Sequence, residues 1–523
     1  VITMLSFRLA LGARTDSTWQ WDTDRWRRGD SWIRPVVHPA LRHDIDNRTG
    51  VTTVGVRDVA SPLTRSELTD HDRGPENVAG TARGDALLLR IQPGRITLTA
   101  GAGGTTPLYL TGDGDILHGT WDLPALRHLT RQSSLLDRAV VRALTRRHRY
   151  SSDTLFTGVT TLTERATATF TATGLNIAYP TPAEHVMRAR DLRPGVDVTV
   201  VLERLLTDAL RPWQESKTTL GLELSGGLDS ATVGVAASVT AAAPLRSFGL
   251  IVDGAVGAEQ NRRRTTIASR IGAVDDILRA HDHAPFCASG IRASGAAHDP
   301  HGEFYREAFE ALADTAARGG VETMLTGNGG DEIMAPRGDE LPPPPPQRLT
   351  DVSWLGPRAR EAVGQIDDNL APSAVLPTPT LMGFAIHHPA YLRSGIWPVT
   401  PLTHPSLIRF AEQLPLELRR GKKLFRDFLT RAGLPPLVTH PRRTEHFRDL
   451  MQHGLRHNGL RLAEHLLTDG MLLADQDFID PDALRRTVQH ARRSATVPSV
   501  LCDTLVLEIG LRSLQAPDTT PAT

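Results

Sequence analysis

Two apolar-rich runs, Ala86–Ile91 and Arg95–Thr99, are joined by the turn pair Pro93-Gly94, and this predicts a β-hairpin. A second strand-rich stretch covers Leu155–Ala178, and between the two Ser134–Arg146 spaces Leu, Val and Leu at helical intervals. Up to about residue 190 the chain therefore reads mostly as strands and turns. A short linker, Asp191–Asp197, carries Pro194-Gly195, and the pattern changes beyond it. Val198–Leu210 has helical periodicity, Thr219–Leu224 reads as a strand, Ala231–Val239 as a helix and Arg246–Val252 as a strand. Glu303–Arg318 is helical and Val321–Leu325 is again a strand. Strands and helices alternating at these lengths predict a parallel sheet with helices on both faces. The five consecutive prolines within Leu341–Pro346 cannot continue a helix or an inner strand and predict a loop. From Pro389 onward the pattern is mainly helical, as in Leu407–Leu416 and Lys423–Arg431.

With 523 residues the chain exceeds one ordinary core, and the change of pattern divides it into two expected domains, 1–192 and 193–523. Hydrophobic residues make up 40% and charged residues 23%, the balance of an ordinary soluble globular protein. A formal net charge of zero gives no electrostatic reason to expect nucleic acid or an anionic membrane as partner. The basic runs Arg262–Arg264 and Arg419–Lys423 read as solvated helix faces. Cys287 and Cys502 are the only cysteines, without metal-ligand spacing, so reduced, cytoplasmic conditions are expected. No apolar run reaches the length of a membrane span, and the start of the chain lacks the pattern of a signal peptide. Lys217, Lys422 and Lys423 are the only lysines, which makes each easy to weigh.

The candidate chemistry lies in two glycine-rich loops. The string Leu224-Ser225-Gly226-Gly227-Leu228-Asp229-Ser230-Ala231 sits between a strand and a helix. Its glycines allow close backbone approach to an oxyanion, and its hydroxyls and helix-start amides can donate to phosphate oxygens. Asp229 repels phosphate directly and suits a magnesium ion that bridges to it. The second string, Met324-Leu325-Thr326-Gly327-Asn328-Gly329-Gly330-Asp331-Glu332, is again a strand entering a glycine loop. Asp331 offers a second carboxylate to magnesium, and Glu332 is placed to orient it or a basic residue. In an open α/β sheet both loops belong at the ligand-binding edge.

The first string resembles the pyrophosphate-binding loop of the ATP pyrophosphatase family. The two together resemble the synthetase domain of asparagine synthetase and its relatives, β-lactam synthetase, carbapenam synthetase and the lasso-peptide cyclases. Val399–Pro405, Phe410–Pro415 and Gly421–Arg426 continue the resemblance. In the front half, Gly84–Leu98, Gly104–Tyr109 and Thr154–Leu162 resemble a class II glutamine amidotransferase domain. The resemblance implies a front Ntn-type αββα sandwich, and behind it an ATP-pyrophosphatase domain with a parallel sheet and a helical C-terminal part. It implies ATP and Mg2+ as cofactors. Leu224, Ser225, Gly226, Gly227, Asp229, Ser230, Phe248, Gly249, Gly327, Gly329 and Gly330 then bind the nucleotide, and Asp229 and Asp331 hold the metal. Lys422, four residues before Arg426, contacts phosphate.

Departures from the family pattern sharpen the expectation. A class II glutaminase needs an N-terminal cysteine, and none precedes Cys287. Ala100 and Gly101 stand where the family carries arginine and aspartate before its Pro-Leu-Tyr motif. The front half is therefore expected to shape the substrate entrance rather than release ammonia from glutamine. β-Lactam synthetase and the lasso cyclases share this loss. After the first glycine of the second loop, β-lactam synthetase has tyrosine, asparagine synthetase usually glutamate and lasso cyclases commonly histidine. Here Asn328 cannot act as a general base. The lysine that the family carries after its Leu-Pro segment is absent, and Arg442 or Arg443 could neutralise phosphate in its place.

The expected function is an amide ligase that adenylates a carboxylate and joins it to an amine from a source other than glutamine, with Lys422, Arg442, Arg443 and Asn328 as catalytic candidates. A macrolactam-forming lasso-type cyclase leads, acting on a peptide beside a leader peptidase and a leader-binding protein. The alternatives are a β-lactam-synthetase-like or ammonia-dependent ligase of a small acid, and a non-catalytic ATP-binding scaffold. His387, His388, Tyr391 and Glu361 are candidates for the base by region alone.

Overall fold

A computed structural model describes residues 4–12, 18–48, 51–61, 85–182, 191–241, 243–336, 340, 352–372, 375–444 and 446–516. The proline run, Gly84 and Glu445 lie outside them.

The front half forms two antiparallel sheets. The first contains β1 (Ser6–Ala10), β2 (Gln20–Asp22), β3 (Arg25–Arg28) and β4 (Ser31–Arg34). The second begins with β5 (Leu41–Arg48), β6 (Val51–Asp58), β7 (Ala86–Gln92) and β8 (Arg95–Ala100). The chain then returns to the first sheet with β9 (Leu108–Asp113), β10 (Ile116–Thr120) and β11 (Val159–Leu162), and ends in the second with β12 (Thr167–Thr171) and β13 (Gly174–Ala178). The orders are β11-β9-β10-β1-β4-β3-β2 and β13-β12-β8-β7-β6-β5. The expected hairpin is β7–β8, turned at Gly94 with φ +70°. Phe7, Leu9, Leu110 and Leu117 of one sheet share a buried core with Val54, Leu89, Leu98 and Phe170 of the other. Of the expected helical layers, the described residues of the front half show Asp137–Leu144 and the short turns Leu123–Leu126 and Arg127–Thr130.

In the back half β14 (Leu220–Glu223), β15 (Arg246–Ile251), β16 (Val274–Arg279), β17 (Thr323–Leu325) and β18 (Trp397–Val399) form one sheet in the order β16-β15-β14-β17-β18. All neighbours are parallel. The order reverses between β14 and β17, so both glycine loops leave the sheet at its switch point, where loops on either side splay apart and leave a crevice. Strand alternation then sets which face each side chain meets. Leu222, Leu224 and Leu325 join the core with the helices Val198–Glu215, Leu228–Thr240 and Lys423–Arg431. Phe248, Leu250 and Met324 face the helix Arg306–Arg318 and Tyr391 of the helix Thr378–Arg393. Glu223 pairs in register with Phe248 and so points to this second face.

The region from Pro389 onward is mainly helical, as expected, with two local departures. Pro389 lies inside the helix Thr378–Arg393, and Trp397–Val399 is the fifth strand of the sheet. A three-residue strand flanked by helices leaves no period-2 signature, and burial on both sides of the helix outweighs the hydrogen bond that Pro389 removes. The helices Arg448–Gly454, Leu460–Asp469, Pro481–Arg493 and Val500–Gln515 build the helical C-terminal part, whose core includes Val140 and Leu144 of the front half. No helix among the described residues is long and apolar enough to cross a membrane.

Candidate functional site

The first loop winds on its own hydroxyls. Ser225 Oγ accepts from the Gly227 amide at 3.1 Å and lies 3.1 Å from Ser230 Oγ, which accepts from the Ser225 amide at 3.2 Å. Gly226, at φ +89°, makes the reversal that hands the chain to the helix Leu228–Thr240. The two hydroxyls expected to serve phosphate thus shape the loop itself. Leu224 is buried in the core and its amide donates to the Phe248 carbonyl at 2.8 Å. The Phe248 side chain is buried in the second-face core, while Gly249 lines the cavity above it.

Arg263 and Arg264 are not a solvated face. Both are essentially fully buried, at 1% and 0% exposure, on the helix Gly254–Ile271. Arg263 donates to the Gly226 carbonyl at 3.1 Å and to the Arg443 carbonyl at 3.0 Å, and Arg264 pairs with Asp275 at 2.5 Å. A Cβ at Gly249 would collide with the Arg264 guanidinium. Gln260 adds a third brace, donating to the carbonyls of Ser225 at 2.9 Å and Leu250 at 3.0 Å. These polar groups are placed under the loop by tertiary packing, and a run of three arginines on a helix does not announce it. Arg419 is likewise buried, held by Glu340 at 2.5 Å and by the Leu414 carbonyl at 3.2 Å.

The second loop packs directly on the first. A Cβ at Gly327 would stand 2.7 Å from the Ser230 amide, and one at Gly330 would stand 2.5 Å from Asp229 Cγ. These glycines therefore let the loops touch, a role separate from making room for a ligand. Gly329 turns the chain with φ +88° into the short helix Gly330–Met334, which carries Asp331 and Glu332.

Lys422 joins both loops. Gly421 and Lys422 have φ of 60° and 58°, a left-handed pair that starts the helix Lys423–Arg431. The Lys422 ammonium lies 2.6 Å from Asp229 Oδ2 and 2.6 Å from Asp331 Oδ1. Burial pushes the Asp229 carboxyl up to about 6 against the pull of Lys422. Burial would lower Lys422, but its two carboxylate partners outweigh that and raise it above the ordinary lysine value.

Two cavities meet at this ion cluster and share Glu223, Ser225, Asp229 and Asp331. The larger, about 570 Å³, lies within the size range of small-molecule sites. It is lined by Gly226, Gly227, Lys422 and Arg426 and by the apolar Leu250, Phe309, Leu312 and Phe447. Phosphate chemistry suits the first set and an aromatic base the second. The smaller, about 300 Å³, is lined by Asn328, Gly329, Glu332, Thr380, Phe384 and His387 among others. Arg442 and Arg443 are exposed, and the cleft wall nearby is formed by Pro441 and Thr444.

The base candidates separate. His387 lines the smaller cavity and pairs through Nδ1 with the buried Glu303 at 2.9 Å. Burial would lower its pKa, yet Glu303 holds it above the ordinary imidazole value. Tyr391, one turn on, donates to Glu223 Oε2 at 2.6 Å, and burial raises its phenol far above normal. His388 points away, its Nδ1 2.8 Å from the Thr105 carbonyl of the front half. Glu361 is exposed on the helix Pro357–Ala362 and lines neither cavity. Sequence reading missed Glu223, Gln260, Arg263, Glu303 and Thr380. Only Glu223 carried a local signal, as a lone charge in the apolar run before the first loop.

Asp229 and Asp331 suit magnesium. Asp229 Oδ1 is buried without a hydrogen-bond partner, and both carboxylates already gather around one cation, the Lys422 ammonium. Among the described residues no group of three or more His, Cys, Asp or Glu side chains could hold a metal. Two carboxylates with phosphate oxygens and water are the usual magnesium set.

The front half braces the helix that carries His387. The Thr105 carbonyl meets His388 and Asp122 pairs with Arg393 at 2.9 Å, while Tyr109 reaches the back half outside this helix, donating to Asp299 at 2.7 Å.

Residues 201–371 match the family described as asparagine synthase, and they span both glycine loops. This segment supports an asparagine-synthetase-like family with ATP-dependent amide-forming chemistry. No curated protein matches the sequence. Among solved structures, a U34-tRNA thiolase from Methanococcus maripaludis is similar at 10% identity over 50% of this chain and 92% of its own, with a TM-score of 0.22. A glutamine phosphoribosylpyrophosphate amidotransferase from B. subtilis is similar at 10% identity over 68% and 79%, with a TM-score of 0.20. Scores this low carry no weight for fold or function.

Proposed function

We propose that this protein is an AMP- and pyrophosphate-forming amide ligase whose amine does not come from glutamine. Its product on this reading is a macrolactam between a peptide's amino terminus and an Asp or Glu side chain, with a leader peptidase and a leader-binding protein acting beside it. The observation that carries the ligase reading is the Lys422 ammonium, 2.6 Å from a carboxylate of each glycine loop where the two cavities join. A nucleotide-sized space and an acceptor-sized space thus share one charged seam.

ATP lies in the larger cavity, with its phosphates on the Ser225–Ser230 loop. A substrate carboxylate oxygen attacks the α-phosphorus, the bond to pyrophosphate breaks, and an acyl adenylate forms. Asp229 and Asp331 would hold magnesium, which would supply charge neutralisation to the triphosphate. Lys422 and Arg426 neutralise the leaving pyrophosphate. The amine, in the smaller cavity, then attacks the acyl carbon, the carbon–oxygen bond to AMP breaks, and His387 takes the proton released from nitrogen. Asn328 contributes hydrogen bonds and no proton transfer.

The test is pyrophosphate release from Mg-ATP with Asp331→Ala as control. The panel is aspartate with ammonia, small β-amino acids, and peptides with an internal Asp or Glu. Release that needs a peptide, with loss of one water from its mass, supports the macrolactam reading. Release only with aspartate and ammonia replaces it with a small-acid ligase, and Mg-ATP binding with no release from any acid favours a scaffold.

A further inference from the structure

We infer that the smaller cavity is an amine site that selects a primary ammonium with no carboxylate beside it, such as a peptide amino terminus or an amino amide, over a free amino acid. The inference rests on the ligase reading and adds to it the charge at which the amine is captured, the ammonium losing one proton to solvent before its nitrogen attacks.

Glu223, Asp229, Asp331 and Glu332 line this cavity, and among the described residues no lysine or arginine does. Lys422 takes up Asp229 and Asp331 from the nucleotide side. Glu223 and Glu332 remain. Glu223 is held by the Tyr391 hydroxyl at 2.6 Å, a neutral donor that orients the carboxylate without cancelling its charge. The only basic side chain on the wall is His387, and Glu303 already engages it.

An independent feature points to a ligand. Thr380 is 4% exposed, lines the cavity, and its Oγ1 has no hydrogen-bond partner. Buried hydroxyls without partners are uncommon, because the lost hydrogen bond to water is not replaced. Asn328 adds an amide with both donor and acceptor capacity.

This set of groups discriminates by sign. An ammonium gains from the two carboxylates in a partly desolvated space. A carboxylate on the neighbouring carbon meets like charge, and the nearby cations His387 and Lys422 are already engaged by Glu303 and by Asp229 and Asp331, so it loses its hydration with little compensation. A neutral carbonyl in the same place can instead accept from Thr380 or Asn328.

Glycinamide and glycine differ only in that neighbouring group. Calorimetric titration of each into the full chain, with magnesium and a non-hydrolysable ATP analogue present, tests the inference. The expected result is that glycinamide binds at least about tenfold more tightly than glycine. Glu332→Gln should narrow the gap, and Thr380→Val should weaken glycinamide. Glycine or aspartate binding as well as glycinamide overturns the inference, as does the absence of saturable glycinamide binding. If the magnesium nucleotide binds and glycinamide does not, only this inference falls. If the nucleotide itself does not bind, the ligase reading falls and takes this inference with it.

Discussion

Lys422 donates to Asp229 Oδ2 at 2.6 Å although 193 positions separate the two residues in the chain. The contact depends on a left-handed backbone at Lys422, a conformation that non-glycine residues seldom adopt. Such local strain persists where surrounding structure holds it. Here the helix Lys423–Arg431 is fixed by buried Leu424, Phe425 and Phe428, so the ammonium is delivered to one place.

Lys422→Met should therefore lower pyrophosphate release by about 10²–10³-fold, the usual effect of removing one group that stabilises developing negative charge. Steady-state assay with the accepted acid measures it, and unchanged release would remove Lys422 from the chemistry.

Asp229 sets a pH dependence. Its carboxyl is raised to about 6 and must be ionised to serve a cation, so Mg-ATP affinity should fall as pH drops through about 6 and level off above it. Because Lys422 pulls this value down, Lys422→Met should move the midpoint upward. Calorimetric titration of Mg-ATP across this range is the measurement. An affinity flat through pH 6 would contradict the assignment.

His387 must be neutral to accept a proton, so amide formation should rise as pH climbs past its raised value. Glu303→Gln removes the group that raises it and should shift that rise to lower pH. His387→Gln should cut amide formation by about 10²–10⁴-fold and leave the first-turnover burst of pyrophosphate in place. Equal loss in both steps would argue for a structural role instead.

Gly330→Ala would put a methyl 2.5 Å from Asp229 Cγ. The expected cost is about 1–3 kcal/mol of stability, with weakened Mg-ATP binding because Asp229 must move. Gly364→Ala, whose new atom meets nothing within 4 Å, is the control for denaturant unfolding.

Arg263→Met would leave the Gly226 and Arg443 carbonyls and Glu259 without their buried cation. A stability loss of roughly 2–4 kcal/mol is expected. It should appear together with weaker nucleotide binding, since the brace lies under the loop.

Much of the fold was legible because its signals are local. The β7–β8 hairpin follows from a turn pair between two apolar runs. The alternation of strand and helix after Val198 follows from short-range periodicity, and each glycine loop lies where a strand gives way to a helix. The loop residues Ser225 to Ser230 and Gly327 to Asp331 could be named for the same reason. The strand Trp397–Val399 and the passage of a helix through Pro389 could not, because both depend on neighbours far along the chain.

The sequence by itself determined the parallel-sheet class of the back half, the two loops and the short supply of lysine that singled out Lys422. Tertiary structure alone decided that the expected phosphate hydroxyls bond within their loop, that Arg263 and Arg264 are buried braces, and that Glu223 meets Tyr391. It also decided that His387, and not its neighbour His388, turns toward the cavity. The physical reason is common to these cases. A side chain's charge and size are written in the sequence, but its partner and its exposure depend on which distant elements the packed sheet brings against it.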